Sequence, residues 1–439
     1  MTAEGRPLVT EAVSTPGRGL FGHRNFRLLL IGETTSRFGT SVTSVLLPLT
    51  AVVTLDASPA LVGLLTAAPW LPWLVIGLPA GAWVDQWPRR RVMHVCNLVS
   101  AALFTSVPAA WWLDVLTVWQ LLAVAFLTGT ASVFLSTAYS SYLPVLVDRS
   151  DLLEGNAKLQ GGEHLARIAG PGAGGLLAQV LGTVPGLLLD SVSFVVSSWC
   201  LRRIRADEPR RAGGRVRLRK EMSAGLRFIG RDPLLRTVIG FGAAANLALA
   251  GYEATYILFL VRSVGLSAGT VGLLGSCGAV GGVLGVLCAR RLARRLGTAR
   301  ALVAAQLGCS LFGLLIPLTA PGPRLALFVI GSTMTMAGLV ACNVILVSFR
   351  QSYCPQELLG RVTSTALLIN YSTVPLGAVA AGALTSAVGP RPTMWIVAGA
   401  LVAAVLPLLS RPLRGLRDLP GAADGAASDA GARSGAESR

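Results

Sequence analysis

Apolar runs long enough to disappear into oil recur about a dozen times along this chain, and nothing else in the sequence constrains the fold as tightly. A helix crossing the hydrocarbon core of a bilayer needs about 20 mostly apolar residues. Runs of that kind occupy residues 28–55, 59–84, 92–113, 118–143, 157–182, 186–204, 236–261, 268–289, 299–320, 325–349, 362–388 and 393–410. The length of 439 residues would by itself allow two or three soluble domains. The charge content forbids that reading. Only 13% of residues are charged, against 53% hydrophobic, and a soluble domain carries roughly 25% charged residues. The expected fold class is therefore an all-α membrane protein with about twelve transmembrane helices.

The charged residues that remain are placed with a pattern. Lys and Arg number 38 against 21 Asp and Glu, a net charge of +17. The arginines fall in alternate connections: Arg89, Arg90 and Arg91, then Arg149, then a long segment from Arg202 to Lys220, then Arg290 to Arg300, then Arg350 and Arg361. The connections at 57–59, 114–117 and 182–185 carry no Lys or Arg, and three others carry one each, Arg262, Arg324 and Arg391. Positive residues stay on the cytoplasmic side, so both termini are expected there, and the net charge is a topology signal rather than a nucleic-acid footprint. The N-terminus shows no cleavable signal sequence, and the final stretch GAADGAASDAGARSGAESR reads as a disordered tail.

The chain also repeats itself. SPALVGLL begins at Ser58 and SAGTVGLL at Ser267, each residue 209 positions after its counterpart. The same offset lays Pro88 on Gly297 and Arg91 on Arg300, and GGLLAQVLG (174–182) resembles AGALTSAVG (381–389). Two pseudo-symmetric six-helix halves follow: a cytoplasmic N-terminal tail at 1–24, halves at 25–205 and 236–410, a basic cytoplasmic linker at 206–235, and a disordered cytoplasmic tail at 411–439. Parallel repeats of this kind place a substrate site near the bilayer midplane, between the halves.

The stretch GAWVDQWPRRRVM (81–93) carries chemistry beyond its charge. Gly81 lets two helices approach closely. Asp85 ends a span, and Arg89 and Arg90 can pair with Asp148, Asp151 and Glu154 on the next basic connection. Further on, GPGAGG (170–175) has the spelling of a dinucleotide-binding loop but lies inside an apolar helical run, without the strand and soluble unit that such a loop needs. Pro171 removes a backbone donor there, while Gly170, Gly174 and Gly175 allow tight packing. GLSAG (265–269) has the spelling of a nucleophile elbow but opens a helix, where Ser267 reads as an N-cap. Three histidines and seven scattered cysteines offer neither a nucleophile's partner nor a metal site, so no enzyme activity and no metal is expected.

These stretches resemble the major facilitator superfamily. Gly81, Asp85, Arg89 and Arg90 match its loop motif between the second and third spans, with Gln86 and Pro88 standing where arginine and glycine are usual. The resemblance implies a conformational lock at those four residues. GPGAGG resembles the fifth-span signature of the superfamily's antiporters, which implies a hinge at Gly170, Pro171, Gly174 and Gly175 and a bias toward export. NFRLLLIGETTSRFGTSV (25–42), NAKLQGGEHLARIAGPGAGG (156–175), LLLDSVSFVVSS (187–198) and GRVTSTALLINYSTVPLGAVAAG (360–382) resemble the bacterial exporter branch that includes enterobactin and macrolide efflux proteins. Two departures bear on coupling: Gly39-Thr40 stands where many relatives carry Gly-Asp, and residues 119–140 hold no arginine.

The expected function is proton-coupled export of a small amphipathic molecule, such as a drug, macrolide or siderophore, across a bacterial inner membrane. It would need no cofactor beyond the proton gradient. Its partners would be substrate and lipid, it would bind no nucleic acid, and it would work as a monomer. Metabolite uptake and a non-transporting sensor or scaffold are the alternatives. An ionisable group deep in a span marks function, which nominates Glu253, Glu33, Asp190 and Glu163 as proton carriers. Glu163 has Arg167 and Glu33 has Arg37 four residues on, the spacing of a helical ion pair. Asp190 lies near the outer end of its span, within reach of the interface. Glu253 has no such partner, and a lone carboxyl in an apolar cavity can exchange a proton near neutral pH. Trp70, Trp73, Tyr252 and Tyr256 are candidates to line the substrate cavity, and Trp111, Trp112 and Trp119 belong to the interfacial belt.

Overall fold

The computed structural model describes residues 20–84, 86–147, 151–205, 226–410 and 413–420. Asp85, Asp148, most of the basic linker and residues 1–19 and 421–439 lie outside the described residues, and with them the expected lock acid and most of the expected disordered tail. Among the described residues there is helix and no strand.

In chain order the long helices are α1 (Arg24–Leu49), α2 (Pro59–Ala67, resumed after a 3₁₀ turn as Leu71–Val84), α3 (Arg89–Trp112), α4 (Val118–Leu146), α5 (Leu152–Val180) and α6 (Leu188–Arg203). The second set is α7 (Pro233–Leu258), α8 (Ala268–Leu296), α9 (Thr298–Ser310, continued as a 3₁₀ helix), α10 (Leu325–Tyr353), α11 (Gln356–Val388) and α12 (Pro390–Ala403). Eleven of these helices, with their short extensions, are long and apolar enough to cross a membrane. The other, α5, has the length, at 29 residues, but not the hydropathy. Its charges are paired within the helix: Lys158 lies 2.6 Å from Glu154 and Arg167 lies 3.1 Å from Glu163.

Local chemistry sets several helix ends. Asp232 accepts from the backbone N–H of Leu234 (2.8 Å) and Leu235 (3.1 Å), and Pro233 opens α7 where no N–H is needed. Thr117 accepts from the Gln120 N–H and starts α4. Ser267 does sit at the N-cap of α8, but its hydroxyl meets Thr270 Oγ1 at 3.1 Å instead of a backbone N–H. At α9 the cap is supplied from far away: Asp418 Oδ1 accepts from the Thr298 N–H, and the Arg417 carbonyl accepts from Ala299.

The duplication reaches the backbone. α1 ends in a π-helical turn at Thr50–Thr54 and α7 in one at Phe259–Ser263. Asp56 and Gly265 both take positive φ, at 42° and 77°, as do Gly182 and Gly389. The packing is duplicated too. α1 lies on α5 and α6 as α7 lies on α11 and α12, and α4 lies on α2 and α3 as α10 lies on α8 and α9. Between the halves, α5 packs on α8 and α2 on α11.

Where the buried apolar side chains gather decides the shape. At the arginine-poor end one cluster draws on both halves: Val42, Leu46 and Leu49 of α1 share it with Ile257, Leu258 and Val271. At the arginine-rich end each half has its own cluster, one around Phe26, Met93 and Tyr142 and one around Leu235, Leu302 and Phe349. The halves are thus joined at one end and separately packed at the other, which leaves a cleft between them that widens toward the arginines.

Within the first half, α1 and α6 meet at Gly39. A Cβ there would stand 2.7 Å from Ser193 Cβ, against which the neighbouring Asp190 carboxyl is packed. Gly39→Ala is expected to cost about 1–3 kcal/mol of overpacking, read as a lowered melting temperature of the detergent-purified chain. Gly308→Ala, whose Cβ would meet nothing within 4 Å, should leave it unchanged.

Candidate functional site

Charges that do not belong in a bilayer converge on the cleft. On α1, Glu33 is buried at 8% exposure and accepts from Arg37 Nε at 2.7 Å. One helix across, Glu163 of α5 pairs with Arg167 and interacts electrostatically with both Glu33 and Arg37, while Tyr139 of α4 joins the same group. Helical spacing explains the two pairs, since residues four apart share a face. Approach of α1 to α5 then brings the pairs together into one network.

Glu253 stands on the other half. Its side chain is exposed to the cleft although it lies 20 residues into α7, and it forms no ion pair among the described residues. The charge nearest to it electrostatically is Arg167 of α5, across the gap between the halves. Arg167, 70% exposed, therefore faces two carboxylates, one in each half. Beside Glu253 the rings of Tyr252 and Tyr256 stack at 5.5 Å. On the opposite crossing, Trp70 and Trp73 of α2 meet Tyr371 of α11 at 5.3 and 6.0 Å. Trp70 and Tyr252 pack against one small apolar cluster, Ala67, Ala250, Ala254 and Ala378 among its members. The four aromatics expected in the cavity thus lie around a single region, together with Tyr371, which the sequence reading missed. A lone tyrosine in the middle of an apolar run was the signal available.

Asp190 is elsewhere. It does not reach the interface but is fully buried between α1 and α6, accepting from Thr43 Oγ1 (2.7 Å) and Ser193 Oγ (3.1 Å). It is apart from the charge network of the cleft.

The glycines of the expected hinge work on two faces of α5. Gly170 packs on Ser41 and Gly174 on the Val42 carbonyl, both on α1. Gly175 meets the second half: a Cβ on it would stand 2.6 Å from Gly272 Cα. Across the pseudo-symmetry, a Cβ on Gly382 would stand 2.9 Å from Gly63 Cα. The segments that repeat in the sequence are thus the segments that touch, Gly63 and Gly272 from one repeat, Gly175 and Gly382 from the other. These two crossings shut the arginine-poor end. An ion pair lies over them, with Arg262 Nη2 2.7 Å from Asp56 Oδ1 and 2.9 Å from the Ala57 carbonyl. Asp56→Asn removes an exposed pair worth about 0.2–1 kcal/mol. The shut state should lose at most about five-fold in population, measured by cysteine accessibility at that end; a larger change would give the pair a role beyond a surface contact.

At the arginine-rich end Gly81 lies in α2. Arg89 is buried at 8% exposure, and Arg90 donates to the Ile204 carbonyl that follows α6. Both are thereby tied into the first half.

Comparison with known proteins agrees with this architecture. The sequence model of the Major Facilitator Superfamily matches residues 29–374. The multidrug efflux pump Tap of Mycolicibacterium fortuitum is 28% identical over 379 residues, 83% of this chain and 90% of that protein. Macrolide efflux protein A of Enterococcus faecalis is 25% identical over 129 residues, 29% of this chain and 40% of that one. Among solved structures, the nucleoside transporter NupG superposes with a TM-score of 0.71 at 12% identity, covering 89% of this chain and 99% of that chain. A bacterial homologue of ferroportin in its inward-facing state gives 0.71 at 17% identity, over 89% of this chain and 99% of that one. The outward-facing state of a bacterial ferroportin homologue gives 0.56 at 18% identity, over 88% and 98%.

Proposed function

Because the chain belongs to the Major Facilitator Superfamily, whose model matches most of its length, we propose that it is a proton-driven exporter of a small amphipathic molecule, in the class of drugs, macrolides or siderophores, in a bacterial inner membrane. The arginine-rich end is cytoplasmic and carries both termini, so the cleft opens inward. The protein works as a monomer, needs no cofactor beyond the proton gradient, performs no catalysis and binds no nucleic acid. The observation that carries this reading is the cleft itself: aromatic rings from both halves around one apolar cluster, with Tyr252 and Tyr256 beside Glu253 and Arg167 facing it from across the gap. The names of the efflux-pump relatives, matched over most of the chain, support the direction.

In this reading the carboxyls of the cleft take protons from outside when the arginine-poor end opens and release them inward. Substrate enters from the cytoplasm and from the inner leaflet and leaves outward. Glu253 is the first proton carrier and Glu33 the second. The pair Glu163–Arg167 sets the field between them, and Asp190, outside the cleft, holds α6 to α1. Asp85, Arg89 and Arg90 steady the cytoplasmic end, with Gly81 allowing the approach of α2. The test is a resistance and accumulation screen in an efflux-deficient host, with and without a proton uncoupler. Extrusion that an uncoupler abolishes is expected. Extrusion that persists removes the coupling, accumulation in place of extrusion indicates uptake, and no effect on any compound points to a sensor or scaffold.

A further inference from the structure

Three consecutive arginines open α3, and each is used differently. Arg89 is buried, and Arg90 donates to the Ile204 carbonyl. Arg91 is exposed, and its guanidinium has no ion-pair or hydrogen-bond partner among the described residues. It stands at a groove of about 330 Å³, lined otherwise by Trp87, Pro88, Val92, Val95, Cys96 and Phe134. Among the described residues of that lining, Arg91 is the one charged group.

The groove is built from the sequence in a simple way. Val92, Val95 and Cys96 follow Arg91 at helical spacing and share a face of α3. Phe134 comes from α4, and its ring is stacked at 6.1 Å on Trp83 at the end of α2. Trp87, 58% exposed, closes the groove from the loop. Along the same face of α3, Val95, Leu98 and Val99 are exposed, and nothing else in the chain covers them among the described residues. α3 packs within its own half, on α4 and α6. An exposed apolar face on a spanning helix is met by acyl chains, and tryptophans at the end of a span mark the level of the headgroups.

We propose that this groove binds an anionic phospholipid of the leaflet at the arginine-rich end, with an acyl chain against Trp87, Val92, Val95 and Phe134 and the phosphate on Arg91. The shapes of site and ligand correspond: an apolar body with one cation at its rim, and an apolar chain ending in one anion. The volume is at the low end of ligand sites, roughly 300–1,000 Å³, which suits part of one chain rather than a whole lipid. An arginine at a span end extends its charge toward the interface, where a basic residue favours anionic over zwitterionic lipid. The lipid would seat on the connection that also carries Arg89 and Arg90, so it would brace that loop whatever cargo the transporter carries.

The test uses the full chain in nanodiscs of phosphatidylcholine, doped with either brominated phosphatidylglycerol or brominated phosphatidylcholine, since bromine quenches tryptophan at contact. The signal is the fluorescence lost in Trp87→Phe, which isolates one of nine tryptophans. Phosphatidylglycerol should quench it half-maximally at a mole fraction roughly five-fold lower than phosphatidylcholine, the preference given by one arginine near the surface. Arg91→Gln should bring the two lipids together, Arg91→Lys should keep them apart, and Val95→Phe, which fills the groove, should weaken quenching by both. Equal quenching by the two lipids in the native chain, or a preference that survives Arg91→Gln, overturns the proposal. So does the absence of Trp87-dependent quenching, which would mean that protein rather than lipid fills the groove.

Discussion

Gly272→Val is expected to open the arginine-poor end while leaving the chain folded. At this position α8 lies against α5 with backbone on backbone: the nearest atoms to an added Cβ include Gly175 Cα and N and the Pro171 carbonyl. None of these is the flexible end of a side chain, so nothing can swing aside. Overpacking costs about 1–3 kcal/mol, and here the cost falls on one conformation only, the one in which the two halves touch. A destabilisation confined to one of two states shifts their ratio by the same free energy, which amounts to roughly 5- to 150-fold. Transport requires both states and should fall at least as steeply. The measurement is the labelling rate of a cysteine placed at Ala57, buried beneath the shut end, in a chain freed of its seven native cysteines. Gly278→Val on the same helix meets open space and is the control. Equal labelling in the two variants would show that the glycine crossing is not what holds the end shut. Gly175→Val, approaching the same contact from α5, should reproduce the effect.

Glu253→Gln should abolish concentrative transport, at least ten-fold, while substrate binding and melting temperature stay close to native. The carboxyl has no ion-pair partner among the described residues to leave stranded, so the amide replaces it without a structural debt. Glu33→Gln is a different experiment. It leaves Arg37 facing the cleft without its 2.7 Å partner, and breaking a buried pair by removing one member destabilises by about 3–5 kcal/mol, less here because Arg37 is 38% exposed. Loss of transport in Glu33→Gln is therefore interpretable only beside its melting temperature, whereas Glu253→Gln can be read directly. The assay is accumulation driven by a pH gradient in proteoliposomes, with a compound identified by the accumulation screen. Full gradient-driven accumulation in both variants would show that neither glutamate carries the proton.

The features of this protein that were legible in the sequence are those that depend on one stretch of chain at a time. Helix existence follows from the length of each apolar run. Alternation of the basic connections orders the spans, and the offset between SPALVGLL and SAGTVGLL exposes the duplication. The ion pairs Glu33–Arg37 and Glu163–Arg167 also belong here, because four residues along a helix fix a shared face before any packing occurs. One span showed where local reading falls short: residues 157–182 read as an apolar crossing run, but α5 has the length and not the hydropathy of the other spans, and its charges are paired within the helix.

What remained hidden depends on how helices are rotated and which surfaces meet. Asp190 looked like an interfacial carboxyl from its place near a span end, yet α1 covers it, with Gly39 supplying the room. Tyr371 joins Trp70 and Trp73 only because α11 crosses α2. Arg89, Arg90 and Arg91 are identical letters in a row, but successive residues point about 100° apart around a helix, so one is buried, one reaches the carbonyl after α6 and one is left exposed at an apolar groove. Sequence alone determined the helices, their order and their duplication, because burial of an apolar run and the sidedness of charge are properties of segments. Tertiary structure alone decided that Arg167 faces Glu253 across the gap and which end is shut, because those depend on contacts between helices of opposite halves, where a missing Cβ or a rotated helix face changes the outcome.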